Sequence, residues 1–294
     1  PGAVLWVDLD APTDEERCLL DDPFAFHPLT IEDCRLVNNR PKIELHERYL
    51  FAVIHAADPS VKDSMATVEL EAFLGANFLV THHIKPVPSV TRTRELCRNA
   101  SPRLVEPSAD SLFYAILDGL VNDYAEVFDR LDERIEKAQE QALARPTRNV
   151  LRSLSSLRKD LRYLRRILGY QWNAIHSVVR EQSPHVSRRL RAYYHDIYDR
   201  LLHMHDMVEE YREILQGAMD LHFMAAQSRI NEVLKVLTTV ATVLTPPMLI
   251  ASIYGMNFQH IPELRWPWGY LFAWGLMAAS SAAMFFYCKH KRWI

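Results

Sequence analysis

Cysteine is scarce and scattered in this chain: Cys18, Cys34, Cys97 and Cys288 fall in no paired or metal-ligand spacing. A disulfide framework or a structural zinc site is therefore not expected. Phosphate-binding glycine loops, nucleophile elbows and paired catalytic motifs are also missing, so the sequence offers no enzyme reading. Nor is there an excess of charge. Lys and Arg number 34 against 37 Asp and Glu, a formal net charge of -3. Such a balance gives no overall attraction to nucleic acid, which is not expected as a partner. The N-terminal stretch enters Val4-Leu5-Trp6-Val7-Asp8 without the basic and apolar regions of a signal peptide, so export of the soluble part is not expected.

The most informative absence is local. No Asp, Glu, Lys or Arg occurs from Val236 to Pro262, nor from Trp266 to Cys288, whereas the residues before Val236 carry almost all the charge. A large soluble part followed by two membrane-length segments is implied.

Up to about residue 105, short runs from Val4 to Asp8, Lys42 to His46, Tyr49 to Ala56, Thr67 to Leu74 and Phe78 to His82 read as strands. Gly75-Ala76-Asn77 suits a tight hairpin between the last two. Helical spacing over Asp22 to Val37 and Val87 to Ala100 completes a mixed α/β domain, residues 1–105. The second segment, 106–233, is helical. One helix is expected from Asp110 to Ala144 and another from Thr147 to Glu181, separated by Arg145-Pro146. In the second, Val150, Leu154, Leu157, Leu161, Leu164 and Leu168 alternate spacings of four and three, a seam against a neighbouring helix. Acidic residues such as Glu126, Asp129 and Glu133 on the first helix and basic ones such as Arg158, Lys159 and Arg162 on the second predict cross-helix ion pairing. From about Ser187 the helical pattern runs to Tyr254. At about 1.5 Å per residue it would span roughly 100 Å, a stalk whose Leu202, Val208, Tyr211, Leu215 and Leu221 must be buried.

The last segment, 234–294, holds spans Leu234 to Tyr254 and Gly269 to Tyr287 joined by a short link. Arg229 and Lys235 flank the first span and Lys289-His290-Lys291-Arg292 follows the second, while the link offers Arg265 alone. Both chain ends are accordingly expected in the cytoplasm. Within the first span Asn231, Thr238 and Thr245 recur every seven residues, with Leu234, Ala241 and Met248 between them. Two readings are open for this seam: a helix interface whose hydroxyls bond across or back to their own backbone, or stacked oxygen rings lining an ion path. Asp220 continues the seam and would add an acidic ring at the cytoplasmic mouth. Among the histidines, His82-His83 reads as a strand end and turn, and His203 and His205 point apart on a helix, so a dedicated transition-metal site is not expected.

Tyr254-Gly255-Met256-Asn257 stands at the outer end of the first span, followed by Pro262-Glu263-Leu264, a second span and a basic terminus. Together with Asn231-Glu232-Val233-Leu234-Lys235-Val236-Leu237-Thr238, this resembles the CorA family of divalent-cation channels and transporters. Arg40-Pro41-Lys42, Tyr49-Leu50-Phe51 and Phe78-Leu79-Val80-Thr81 resemble its cytoplasmic domain. The resemblance implies an α+β membrane protein: a funnel-shaped homopentamer in the cell (inner) membrane, with a cytoplasmic α/β domain, a stalk helix continuing into the pore helix, and an outer second helix. It implies that Asn257 forms the outer selectivity ring, shaped by Gly255 and Met256, with Glu263 in the external loop. Asn231, Thr238, Ala241, Thr245 and Met248 would line the pore, Leu234 and Leu237 would lie near its hydrophobic constriction, and Asp220 at its inner end. Regulatory magnesium would bind Asp196, with Asp58 of the neighbouring protomer as partner. Mg2+ is the implied cargo and regulator, Co2+, Ni2+ or Zn2+ being further cargoes. The alternatives are a Zn2+ transporter of the same superfamily and a non-conducting membrane-anchored scaffold or sensor. Pro246-Pro247, Met248 and Gln259 depart from the family pattern.

Overall fold

The computed structural model describes residues 3–36, 40–58, 60–61, 64–99, 107–144, 147–180, 183–257 and 262–291. The chain divides into two compact units, Pro1–Met219 and Asp220–Ile294.

In the first unit, β1 (Leu5–Asp10), β2 (Lys42–Leu45), β3 (Tyr49–Ala57), β4 (Thr67–Gly75) and β5 (Phe78–His83) form one sheet in the order β1-β5-β4-β3-β2. β1 runs parallel to β5, and the other pairs are antiparallel. The hairpin between β4 and β5 requires a glycine, because a Cβ at Gly75 would lie 2.2 Å from the Phe78 ring. Strand alternation sends Leu50, Ala52, Ile54, Leu70, Ala72 and Leu79 to one face of the sheet. Phe51, Val53, Phe73 and Val80 go to the other.

The first face is covered by α3 (Pro88–Arg98), α4 (Ala109–Ala144), α5 (Arg148–Arg180) and the beginning of α6 (Arg191–Tyr254), which share one apolar core with it. The predicted α5 seam is buried throughout, from Val150 to Leu168. In the first unit the buried apolar positions of α6 are Tyr194, Ile197, Leu201, Val208, Tyr211, Leu215 and Ala218. Two stalk expectations shift: Leu201 takes the core position rather than Leu202, which is half-buried, and Leu221 is exposed.

The opposite face is covered by Leu20 of a 3-10 turn at Cys18–Leu20, by Phe24 and Phe26, and by α2 (Pro28–Asp33), whereas α1 (Asp14–Arg17) buries no residue. Here the expected helix from Asp22 to Val37 shrinks to α2. Ala25 sits at φ 51°, outside the right-handed helical region, and Phe24 and Phe26 leave helical spacing to stack, with ring centroids 5.3 Å apart. Phe26 then stacks on Phe73 at 4.1 Å. Aromatic burial against the sheet wins over local helix spacing.

Cross-helix ion pairing also differs from expectation. The described pair between α4 and α5 joins Arg134 to Asp160 at 3.0 Å, a base on α4 and an acid on α5. The acidic residues of α4 and basic residues of α5 singled out by sequence point instead to solvent.

In the second unit the remainder of α6 is followed by a 3-10 turn at Pro262–Arg265 and by α7 (Gly269–His290). Both helices are long and apolar enough to cross a membrane, with mean hydropathy 1.8 and 1.5 over their most apolar windows. Only 6% and 11% of those windows is buried. A core helix of a water-soluble unit would be covered, so these faces need lipid or further copies around them.

Candidate functional site

The second unit places the polar seam. Neighbouring threonines on α6 have opposite fates: Thr239 is buried, 5% exposed, whereas Thr238 is exposed. The packed face of α6 runs through Thr239, Val243, Pro246, Pro247 and Ile250, and the Ser281 hydroxyl of α7 comes within 3.5 Å of the Val243 carbonyl. Asp220, Asn231, Leu234, Thr238, Ala241 and Thr245 are all exposed. At about 100° per residue their stripe centres roughly 150° from the packed face. Leu237 and Met248, 63% and 68% exposed, flank it on one side. The seam thus lies on the side of α6 that α7 leaves open.

The hydroxyls on this helix are turned back. Thr245 Oγ1 donates to the Ala241 carbonyl at 2.7 Å, Thr242 Oγ1 to the Thr238 carbonyl at 2.8 Å and Thr239 Oγ1 to the Lys235 carbonyl at 2.9 Å. Back-bonding is what a purely structural seam would show. It does not consume the oxygen lone pairs, however, and a hydroxyl that donates inward presents acceptor capacity outward. Asn231 Oδ1 accepts from Gln227 Nε2 at 3.2 Å and retains a second lone pair.

At the end of α6 the Gly255 amide donates to the Ala251 carbonyl at 3.0 Å and the Met256 amide to the Ile253 carbonyl at 3.2 Å. A Cβ on Gly255 would stand 3.3 Å from the Ala251 oxygen, so a side chain there would press on the helix end. This tight closure leaves Met256 and Asn257 exposed just beyond the last turn. Glu263 falls in the 3-10 turn before α7, and its side chain lies outside the described residues, as does Gln259.

The two carboxylates expected to bind regulatory metal lie in the first unit. Asp58 is buried. Its Oδ1 accepts from the Ser60 amide at 2.9 Å and hydroxyl at 2.5 Å, and Lys85 Nζ approaches Oδ2 at 3.0 Å. The Ser60 bonds, against the opposing effect of burial and with help from Lys85, hold this carboxyl below its usual range. Asp196 is exposed on α6, 3.7 Å from Arg200 Nη1, and Arg200 is held at 2.6 Å by Asp118. Each of these carboxylates already has a basic neighbour: Arg200 follows Asp196 by one helical turn, whereas Lys85 reaches Asp58 from a distant part of the chain.

The histidine pair is structural. His82 is fully buried with Nδ1 2.9 Å from Glu71. His83 Nε2 lies 3.2 Å from Asp8, and its Nδ1 is 2.9 Å from the Lys85 carbonyl. Both belong to β5 rather than to a turn. Groups of three or more His, Cys, Asp or Glu able to hold a metal are absent among the described residues.

The profile of the CorA-like Mg2+ transporter protein family matches residues 1–290. The chain belongs to that family. Among its relatives, the Bacillus subtilis protein YfjQ is 34% identical over 98% of this chain and 89% of its own length. The cobalt/magnesium transport protein CorA of Thermotoga maritima is 32% identical over 92% of this chain and 78% of its own. The complete structure of the CorA magnesium transporter from Methanocaldococcus jannaschii superposes with a TM-score of 0.89 at 26% identity, over 99% of this chain and 92% of that one. The CorA fold therefore accounts for both units, and the family is one of transporters rather than enzymes.

Proposed function

We propose that this chain is the protomer of a homopentameric divalent-cation channel of the cell inner membrane, carrying Mg2+ foremost and admitting Co2+ and Ni2+. The observation that carries the reading is the open seam of α6: its polar residues lie opposite the face occupied by α7. Five copies with the seam inward would stack these side chains as rings around an axis, with the lone pairs left free by back-bonding turned toward the path. A non-conducting anchor has no need of such rings. Both chain ends are then cytoplasmic.

Chemistry favours passage of a hydrated ion. Mg2+ gives up its waters reluctantly, so neutral amide oxygens of an Asn257 ring hold it through its water shell. Asn231, Thr238 and Thr245 offer further acceptors to that shell, and Ala241 keeps the path wide between them. Leu234 and Leu237 supply an apolar constriction that gates by excluding water, Met248 borders the outer part, and Asp220 concentrates cations at the inner mouth. Glu263 adds a carboxylate to the external loop. The T. maritima relative is named a cobalt/magnesium transport protein, which accords with this cargo.

Regulation by intracellular Mg2+ follows from Asp196. A cation bridging it to Asp58 of a neighbouring protomer would favour the closed arrangement, shifting a two-state equilibrium by its differential affinity. Since Lys85 already pairs with Asp58, the ion must share or displace that contact. Zn2+ transport is the rival reading within the superfamily, and a non-conducting scaffold or sensor is the rival outside it.

Flux of Mg2+, Co2+ and Zn2+ into liposomes carrying the full-length protein tests the proposal. Asn257→Ala should cut Mg2+ flux by tenfold or more while assembly, read by native mass, is kept. Normal flux in Asn257→Ala, or indifference to an inert hexammine cobalt complex, would sink the hydrated-ion filter. Absence of all flux in the wild type would favour the scaffold.

A further inference from the structure

The charges of α4 and α5 are segregated to a degree their own packing does not use. α4 holds nine acidic residues against three basic ones, and α5 eight basic against one acidic. On α4, Glu126, Asp129, Glu133, Glu136 and Glu140 are exposed, on the side away from the buried Val127, Leu131, Ile135 and Ala138. On α5, Arg148, Arg152, Arg158, Lys159, Arg162 and Arg166 are exposed, opposite the buried leucine seam. Although the helices are neighbours, no ion pair joins the two stripes among the described residues; the pair between these helices, Arg134 with Asp160, lies at the packed side.

We propose that the acidic stripe of α4 docks on the basic stripe of α5 of a second copy of this chain, so that each copy offers one stripe to either side. Three observations point to a second copy rather than another partner. The basic stripe is long enough to take the acidic one, about 27 Å from Arg148 to Arg166 against about 21 Å from Glu126 to Glu140 at helical rise. They are opposite in sign and lie on one chain, so that a head-to-tail contact repeats from copy to copy and closes a ring. The basic stripe also ends in a trough of ≈ 500 Å³ lined by Arg162, Arg165, Arg166, Trp172 and His205. There the Trp172 indole nitrogen and His205 Nδ1 are buried without a hydrogen-bond partner. Both atoms are closed off from solvent, so what the trough offers an arriving carboxylate is the charge of its three arginines. Arg165 already shows the preference, pairing with Glu209 of α6. Seen this way, an intrachain salt-bridge ladder is replaced by one between copies, and specificity comes from the like-charge repulsion of any other stacking.

The proposal concerns assembly of the first unit and does not depend on the ion carried. Two full-length variants test it: one with Asp129→Lys, Glu133→Lys and Glu136→Lys, the other with Arg158→Glu, Lys159→Glu and Arg162→Glu. Each alone carries two stripes of one sign, and about a tenfold loss of intact oligomer in detergent at 0.1 M salt is expected. Co-expressed under different tags, they restore opposite signs at contacts between unlike copies, and mixed oligomers should exceed random composition by native mass spectrometry. Circular dichroism melting of each variant checks folding. Two results overturn the proposal: each variant assembling like the wild type, or mixing that fails to rescue assembly of well-folded variants, since stripes paired within one chain cannot be repaired by a second. Retained assembly with retained ion flux would leave this surface refuted and the channel reading intact.

Discussion

Replacing Asp220 by Asn removes one charge per copy at the inner end of the polar seam, and its effect on conduction can be worked out in advance. In the proposed pentamer, with a divalent ion about 10 Å from each of five carboxylates, the attraction in water is about 4 kcal/mol before screening. At physiological ionic strength the Debye length of about 8 Å reduces it to roughly 1.2 kcal/mol, equivalent to an approximately eightfold local enrichment of the ion. Planar-bilayer currents measured with limiting Mg2+ on the Asp220 side should therefore fall about eightfold in Asp220→Asn. The same variant should differ little when Mg2+ is supplied from the Asn257 side. In 1 M monovalent salt, where the Debye length is about 3 Å, the deficit should shrink below about twofold. A deficit equal from both sides and unmoved by salt would refute the electrostatic role and point to damage within the helix.

Adjacent threonines make an internal control: Thr238→Val should lower Mg2+ flux several-fold, because the seam loses an acceptor, while Thr239→Val, on the packed face, should leave flux within about twofold in the same liposome assay. Asp196→Lys should keep the first unit protected from protease without Mg2+, whereas wild-type protection should rise with millimolar Mg2+; identical Mg2+ dependence in both would exclude Asp196 from the sensor. A last prediction concerns pH. Burial opposes the charged form of His83, but its bond to Asp8 and the nearby Asp8 and Asp10 charges prevail and raise its pKa. Asp8 is likewise opposed by burial yet lowered by His83, Thr81 and Arg94. The His83 contribution is present below the ordinary imidazole pKa and lost as pH rises through the raised value; that of Asp8 is present above the ordinary carboxyl value and lost as pH falls through the lowered one. A charge-assisted bond of about 2 kcal/mol predicts a melting temperature roughly 6 °C lower for His83→Gln at pH 6, with the gap closing toward pH 9. An unchanging gap across that range would refute the linkage.

The sheet and the long helices were legible because their signals are local. Period-two alternation marks each strand, and the α5 leucines mark a buried stripe without reference to any other element. The aromatic cover over Asp22 to Val37 was not, since Phe24 and Phe26 are ordered by Phe73 and Phe78 from strands far along the chain. Charge pairing failed for a different reason. Segregated acids and bases in the sequence do not tell whether they meet, and the structure turns the stripes of α4 and α5 to solvent instead. At the site, seven-residue spacing reveals the seam but not which way it faces. The contrast between Thr238 and Thr239 supplies that direction, and it exists only once α7 is in place.

The double proline shows how a disruption can be kept away from a functional face. Proline lacks an amide hydrogen, so Pro246 and Pro247 leave the carbonyls of Thr242 and Val243 without their helical donors. In a bilayer such groups must be satisfied locally. Both prolines are half-buried on the α7 side, and Ser281 brings a hydroxyl to within 3.5 Å of the Val243 oxygen. α6 continues as helix to Tyr254 nevertheless. On the open side Thr245 back-bonds to Ala241, so the seam keeps its helical spacing up to the prolines. The Val243 carbonyl freed by Pro247 is thus met from the partner helix, while the residues that would meet an ion retain their register.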